Sequence, residues 1–80
     1  MASAQNGGEP REMESLLEEM ISSQQRRLRE LAGRIAPHLT EEDLLQPHDH
    51  PEIGSHPDYQ FEDGILSGYL AVRAALRARR

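Results

Sequence analysis

The chain has no cysteine, no lysine and no tryptophan, and few aromatic residues. Without cysteine it can form neither disulfides nor thiolate metal sites, which excludes most structural zinc motifs and fits a reducing compartment. No run approaches the roughly 18–20 apolar residues that a membrane span needs, and the N-terminus lacks the apolar core of a secretory signal. We therefore expect a soluble, cytoplasmic protein.

The length of 80 residues allows one small domain. A single core of this size contributes little stability, so such chains are often helped by a metal ion or by a partner chain. The net charge is −5. Because affinity for phosphates depends on a basic surface, this charge disfavours a general nucleic-acid binder.

Apolar periodicity predicts an all-α protein with two long helices, over residues 11–36 and 57–79. Residues 1–10 have no periodic apolar residue and are expected to form a disordered tail. The 3–4 spacing typical of a coiled coil defines a seam on the first helix, made of Leu17, Ile21, Gln24, Leu28, Leu31 and Ile35. Gln24 is expected to reach the edge of the interface rather than to fix its register.

The second helix has one main apolar face and further apolar residues beside it. We expect its core face to consist of Phe61, Ile65, Tyr69, Val72 and Leu76. Gly64 and Gly68 lie four residues apart inside this helix, and each costs about 1 kcal/mol relative to alanine. Close approach of another helix is the usual physical reason for such glycines.

Both helices are acidic at the start and basic at the end. An antiparallel hairpin would bring acid next to base at both ends, whereas a parallel pair would not. A two-helix hairpin covers one stripe of each helix, so we expect two hairpins to pair into a four-helix bundle, as a homodimer or as a heteromer that uses the same surface. The alternative is that the connector folds back over that patch. We predict a partner surface made of Leu16, Leu66, Leu70 and Ala74, rimmed by Arg73 and Arg77.

The connector, residues 37–56, is predicted to contain short helical turns rather than a structureless loop. Thr40 can cap a turn over residues 41–45, and Pro51 to Gly54 can form a second turn. Pro57 suits the first position of the second helix, where Ser55 or His56 would cap.

The connector is also rich in metal-ligand residue types. A minority hypothesis is therefore a metal-binding protein, with candidate ligands His48, His50, His56, Asp49, Glu52 and Asp58. The spacing matches no strong metal signature, and the prolines and acids have turn-forming roles. We expect a structured connector, with no cofactor.

Signals for other functions are weak. Ser55 and His56 are neighbours in sequence, but adjacency does not make a catalytic pair, and we expect no enzyme. Two arginine runs, residues 26–29 and 73–80, support only an alternative as a nucleic-acid-associated regulator, because aromatic stacking residues are scarce. The leading hypothesis is a small protein–protein interaction module that acts as an adaptor, a regulator or an assembly subunit.

Overall fold

The computed structural model describes the backbone of residues 2–79 and the side chains of residues 11–79. Over this range the chain forms helices and no strand, which confirms the all-α class. None of the helices described is long and apolar enough to cross a membrane. The α-helices are α1, Ala2–Ile35, α2, Pro51–Gly54, and α3, Pro57–Ala78, with short 3-10 helices at Asp43–Leu45 and Pro47–Asp49. The sequence predicted a disordered tail over residues 1–10 and a helix from residue 11, whereas the backbone of α1 already begins at Ala2.

Helices α1 and α3 form an antiparallel pair. At the middle of α1, Glu18 Oε1 accepts a hydrogen bond of 2.9 Å from Arg73 Nη1 near the end of α3. Further along α1, Arg27 Nε lies 3.5 Å from Oε1 of Glu62, near the start of α3. Acid therefore meets base across both halves of the pair, as the charge distribution predicts.

The seam of α1 is buried as predicted over its first half and then shifts around the helix. Leu17, Ile21, Gln24 and Leu28 are buried, but the stripe continues through Ala32 and Ala36. Leu31 and Ile35, which were expected in the seam, are only half-buried. An α-helix has 3.6 residues per turn, so a seam with a strict 3–4 repeat drifts away from its partner.

The core is densest at the closed end of the hairpin, where the connector begins and ends. Ile53 of α2 is fully buried and packs with Leu28, Ala32, Ala36 and Tyr59. The alanines have only a methyl group, so α2 can lie close to α1 at this end. Five half-buried apolar residues pack around this cluster: Leu31, Ile35, Leu39, Leu44 and Leu66.

The face of α3 that contacts α1 differs from the predicted one. Tyr59 is 4% exposed and Leu66 packs against the core cluster. Phe61 and Val72, expected in the core, are 68% and 51% exposed. The prediction followed the strongest apolar periodicity in α3, whereas the contact with α1 runs along a neighbouring, more polar stripe that includes Glu62 and Arg73.

The connector is ordered by the local contacts that its sequence predicts. The backbone N–H of Thr40 donates to Asp43 Oδ2 at 3.1 Å, and the N–H of Asp43 donates to Thr40 Oγ1 at 3.2 Å. This reciprocal arrangement is a capping box. The N–H of Asp58 donates to Nδ1 of His56 at 3.2 Å, which caps α3, and Pro57 is the first residue of α3.

Candidate functional site

The interface between α1 and α3 contains a buried polar contact at its centre. Gln24 is 7% exposed, and its Nε2 donates to the backbone oxygen and to Oε1 of Glu62, each at 2.8 Å. Arg27 adds a charge to the same carboxylate. The expectation that Gln24 only reaches the edge of the interface is wrong. Its amide bonds a single position of α3, and this contact can fix the register of the two helices.

The arginines predicted to rim a partner surface have contacts within the chain. Arg73 Nη1 and Arg77 Nη2 lie 2.9 and 3.5 Å from the two carboxylate oxygens of Glu18. Arg73 is largely covered, with 29% of its side chain exposed. Part of the positive charge at the end of α3 is therefore balanced by α1.

The four apolar residues of the predicted partner surface are not equivalent. Leu16 is 58% exposed and Ala74 is also exposed. Leu66 and Leu70 are half-buried, and Leu66 packs against the core. Leu66 is therefore engaged within the hairpin, and the four residues do not form one uniformly exposed patch.

The connector lies over the side of the hairpin that carries Leu66. A shallow pocket there is lined by Leu44, Pro47 and His48 of the connector together with Tyr59 and Leu66. The connector thus folds back over part of the helix pair, which was the alternative considered from the sequence. It covers the side near Leu66 at the closed end.

Large apolar side chains are exposed on the opposite side. On α1, Leu31 lines a groove together with Arg27 and Arg34, and on α3 Phe61 lines it together with Asp58 and Glu62. At 100° per residue, three other apolar residues of α1 fall on the same flank as Leu31. Together with two exposed apolar residues of α3, these three form a set that we call the outer face: Met13, Leu16, Met20, Phe61 and Val72.

The register of the helix pair places the exposed methionines of α1 beside the second half of α3. The Glu18–Arg73 contact places Met20 level with Ala71, between Tyr69 and Val72, and Met13 level with Ala78, just beyond Leu76. Both Tyr69 and Leu76 are half-buried. The sequence signal for this face was the apolar periodicity of α3, which was interpreted as a core face.

The histidines of the connector have separate structural contacts. His48 Nε2 lies 3.9 Å from Asp63 Oδ2, and its ring meets the ring of Tyr59 edge-on, with centroids 6.3 Å apart. His38 Nε2 lies 3.5 Å from Glu52 Oε2. His50 precedes Pro51 at the start of α2.

The six candidate metal ligands are not brought together. His56 accepts the N–H of Asp58, and Asp49 ends a 3-10 helix. Among the described residues, no group of three or more histidine and acidic side chains is placed to hold a metal ion. His48 and His56 instead join the connector to α3.

Ser55 and His56 do not form a catalytic pair. The hydroxyl of Ser55 donates to the backbone oxygen of Pro51. The Nδ1 atom of His56 accepts the backbone N–H of Asp58. Each side chain is occupied by the local structure of a helix end.

Two titratable groups are shifted by their surroundings. Hydrogen bonds from the backbone N–H and the hydroxyl of Thr40 lower the pKa of Asp43. Burial raises the pKa of Tyr59, and the nearby carboxylate of Asp63 raises it further. Both shifts arise from contacts that organise the closed end of the hairpin.

Comparison with known proteins adds no assignment to this geometry. No family model matches the chain. No curated protein matches it. No solved structure matches it either. The outer face is therefore the candidate functional site on physical grounds alone.

Proposed function

We propose that this chain is a small, non-enzymatic protein–protein interaction module that docks through its outer face. The single observation that carries the proposal is the exposure of Phe61 and Val72, at 68% and 51%, on the flank of the helix pair that also carries the exposed Met13, Leu16 and Met20. Contiguous apolar surface on a small protein commonly marks an interaction site. Of the partner surface predicted from the sequence, the proposed surface keeps Leu16. It leaves out Leu66, which already packs against the core.

The form of docking that we expect is a homodimer in which two hairpins pair into a four-helix bundle. A hairpin of two helices is a single layer with two sides, and each side can be covered by further helices. The connector occupies part of one side near Leu66, and the outer face lies on the other. Covering it with a second hairpin would complete the bundle. A heteromer that uses the same face remains the alternative, and we expect either assembly in the cytoplasm.

The test is sedimentation equilibrium of the untagged chain and of the double variant Phe61→Asp with Val72→Asp. We expect the wild-type chain to associate and the variant to be monomeric with nearly unchanged helicity, because both positions are exposed and remote from the core. A matched control is Ser15→Asp with Ser22→Asp, which adds the same charge to exposed positions of α1 away from the outer face.

Each result has a distinct meaning. If the wild-type chain is monomeric at all accessible concentrations, self-association is wrong. If the control variant dissociates as strongly as the variant of the outer face, the effect is one of general charge and the outer face is not the docking site.

A further inference from the structure

The side of α3 that faces away from α1 carries no charge over three turns. The only charged residue from Gly64 to Ala75 is Arg73, which contacts Glu18. Every exposed residue in this stretch is small or apolar: Gly64, Ser67, Gly68, Ala71, Val72, Ala74 and Ala75. A helix face in contact with water is normally rich in charged residues. This face is thus chemically suited to another protein surface.

The two glycines of α3 have no neighbour that explains them. A Cβ atom added at Gly64 or at Gly68 would meet no atom within 4 Å. The helix whose close approach the sequence suggested is therefore not α1. Since each glycine costs the helix about 1 kcal/mol, an approaching helix from outside the chain would account for both.

We propose that α3 packs antiparallel against α3 of a second copy of this chain, about a two-fold axis at Gly68. This inference rests on the proposed function and places the contact on the α3 part of the outer face, at Phe61 and Val72, and on the small residues beside them. Gly64 and Gly68 are four residues apart, so they lie on consecutive turns of the same face of α3. With the axis at Gly68, Phe61 lies opposite Ala75 of the second copy, and Val72 lies opposite Gly64.

The pairing matches large side chains with small ones at every level. Phe61 is the largest exposed side chain of α3, and it meets only a methyl group at Ala75. Val72 meets no side chain at Gly64, and the two copies of Gly68 meet each other. In a two-fold interface the second copy presents the same helix in the opposite direction. Large side chains near one end of the contact therefore face small residues near the other end.

Charges favour the antiparallel direction as well. Asp58 is exposed near the start of α3, and Arg79 is exposed just beyond its end. In the proposed pair Asp58 of each copy approaches Arg79 of the other. A parallel pair would instead place Asp58 beside Asp58 and Phe61 beside Phe61, which is unfavourable in charge and in volume.

Disulfide trapping tests the register directly, because the natural chain has no cysteine. The full-length variants are Gly64→Cys, Gly68→Cys and Val72→Cys, with Ser22→Cys on the exposed side of α1 as the control. A disulfide requires Cα atoms within about 7 Å. Eight residues along a helix span about 12 Å, so neither Gly64→Cys nor Val72→Cys can bridge to itself in the proposed pair.

We expect Gly68→Cys alone to form a cross-linked dimer under mild oxidation. Gly64→Cys and Val72→Cys should each stay uncross-linked when alone and should cross-link when mixed. Yields are compared on non-reducing gels with Ser22→Cys, and each variant is checked for helicity. The mixture keeps the test valid even if a side chain at position 68 disturbs the contact.

The outcomes separate the inference from the proposed function. Self-cross-linking of Gly64→Cys and of Val72→Cys, with no gain on mixing, indicates parallel packing and overturns the inference. A dimer by sedimentation with no cross-link above the Ser22→Cys level places the interface elsewhere and also overturns it, while the interaction module stands. Absence of any self-association overturns the inference and the homodimer, and leaves the heteromer as the form of docking.

Discussion

The Nε2 group of Gln24 donates to the backbone oxygen and to the carboxylate of Glu62, at 2.8 Å each, across the centre of the hairpin. An amide at this position of an apolar seam can bond only where the partner helix presents acceptors at the same level. The contact therefore favours one alignment of α1 with α3. A seam of leucine and isoleucine alone would pack nearly as well when shifted by a turn.

Replacing Gln24 is expected to destabilise the hairpin more than replacing its neighbour. Gln24→Ala removes two hydrogen bonds at a buried site, one of them to a charged group, and should lower the free energy of unfolding by about 1–3 kcal/mol. Gln25→Ala, at an exposed position, should change it by less than about 0.5 kcal/mol. Urea denaturation followed by circular dichroism at one protein concentration measures both. Equal effects would show that the buried amide of Gln24 contributes no more to the free energy of unfolding than the exposed amide of Gln25.

Truncation should destabilise the monomer at Leu66 but not at Phe61. Leu66→Ala removes a side chain that packs against the core cluster, so we expect a loss of about 1–3 kcal/mol of monomer stability. Phe61→Ala removes an exposed ring and should leave the dilute monomer nearly unchanged. Thermal unfolding at low concentration, where association is negligible, makes the comparison. A larger loss for Phe61→Ala would restore the face that the sequence predicted as the core.

Ile53 is expected to be the most sensitive residue of the connector. It is fully buried, so Ile53→Ala leaves a cavity and should cost about 2–5 kcal/mol. Leu45→Ala, at an exposed position of the 3-10 helix Asp43–Leu45, is the control and should cost far less stability. Chemical denaturation gives both values. A small effect of Ile53→Ala would mean that the connector is only loosely docked.

The Thr40–Asp43 capping box should produce a defined dependence on pH. Because the pKa of Asp43 is lowered in the folded chain, the carboxylate stabilises the fold above its ordinary pKa, near pH 4. That contribution is lost as the pH falls through the lowered value. Carboxyl chemical shifts measured by NMR should give an Asp43 midpoint below the ordinary one, and Thr40→Ala should raise it part of the way. An ordinary midpoint in the natural chain would rule out the capping box in solution.

Metal removal is expected to leave the protein unchanged. The histidines contact different partners, with His48 near Asp63 and His56 bonded to the N–H of Asp58. Adding a chelator should therefore not shift the melting temperature relative to the same chelator saturated with zinc. A fall in melting temperature or helicity with free chelator alone would revive the metal hypothesis.

Local chemistry made the ends of the elements predictable. Thr40, His56 and Pro57 have side chains or rings that suit particular positions at helix starts, and such preferences act within a few residues. The acid and base runs predicted the antiparallel direction. Each of these features depends on neighbours in sequence or on the sum of many charges.

The facing sides of the helices were harder to predict because they depend on contacts between distant residues. Apolar periodicity identifies a face of α3 but does not say whether α1 or another chain covers it. Here Gln24 and Glu18 select a stripe of α3 with polar acceptors and donors, while Ala32 makes room for α2. The sequence therefore identified Phe61 and Val72 as part of an apolar face of α3, but it did not show that α1 leaves them exposed.

The two ends of the hairpin are held by different forces. At the open end the Glu18–Arg73 pair is partly exposed, and such pairs contribute about 0–1 kcal/mol. At the closed end Ile53 is enclosed by apolar side chains. Amide hydrogen exchange should therefore be fast at the open end and slow beside Ile53. Met13 and Leu16 lie at the open end, which should separate first. A partner docked there would hold α1 and α3 together and would slow the opening of the whole molecule.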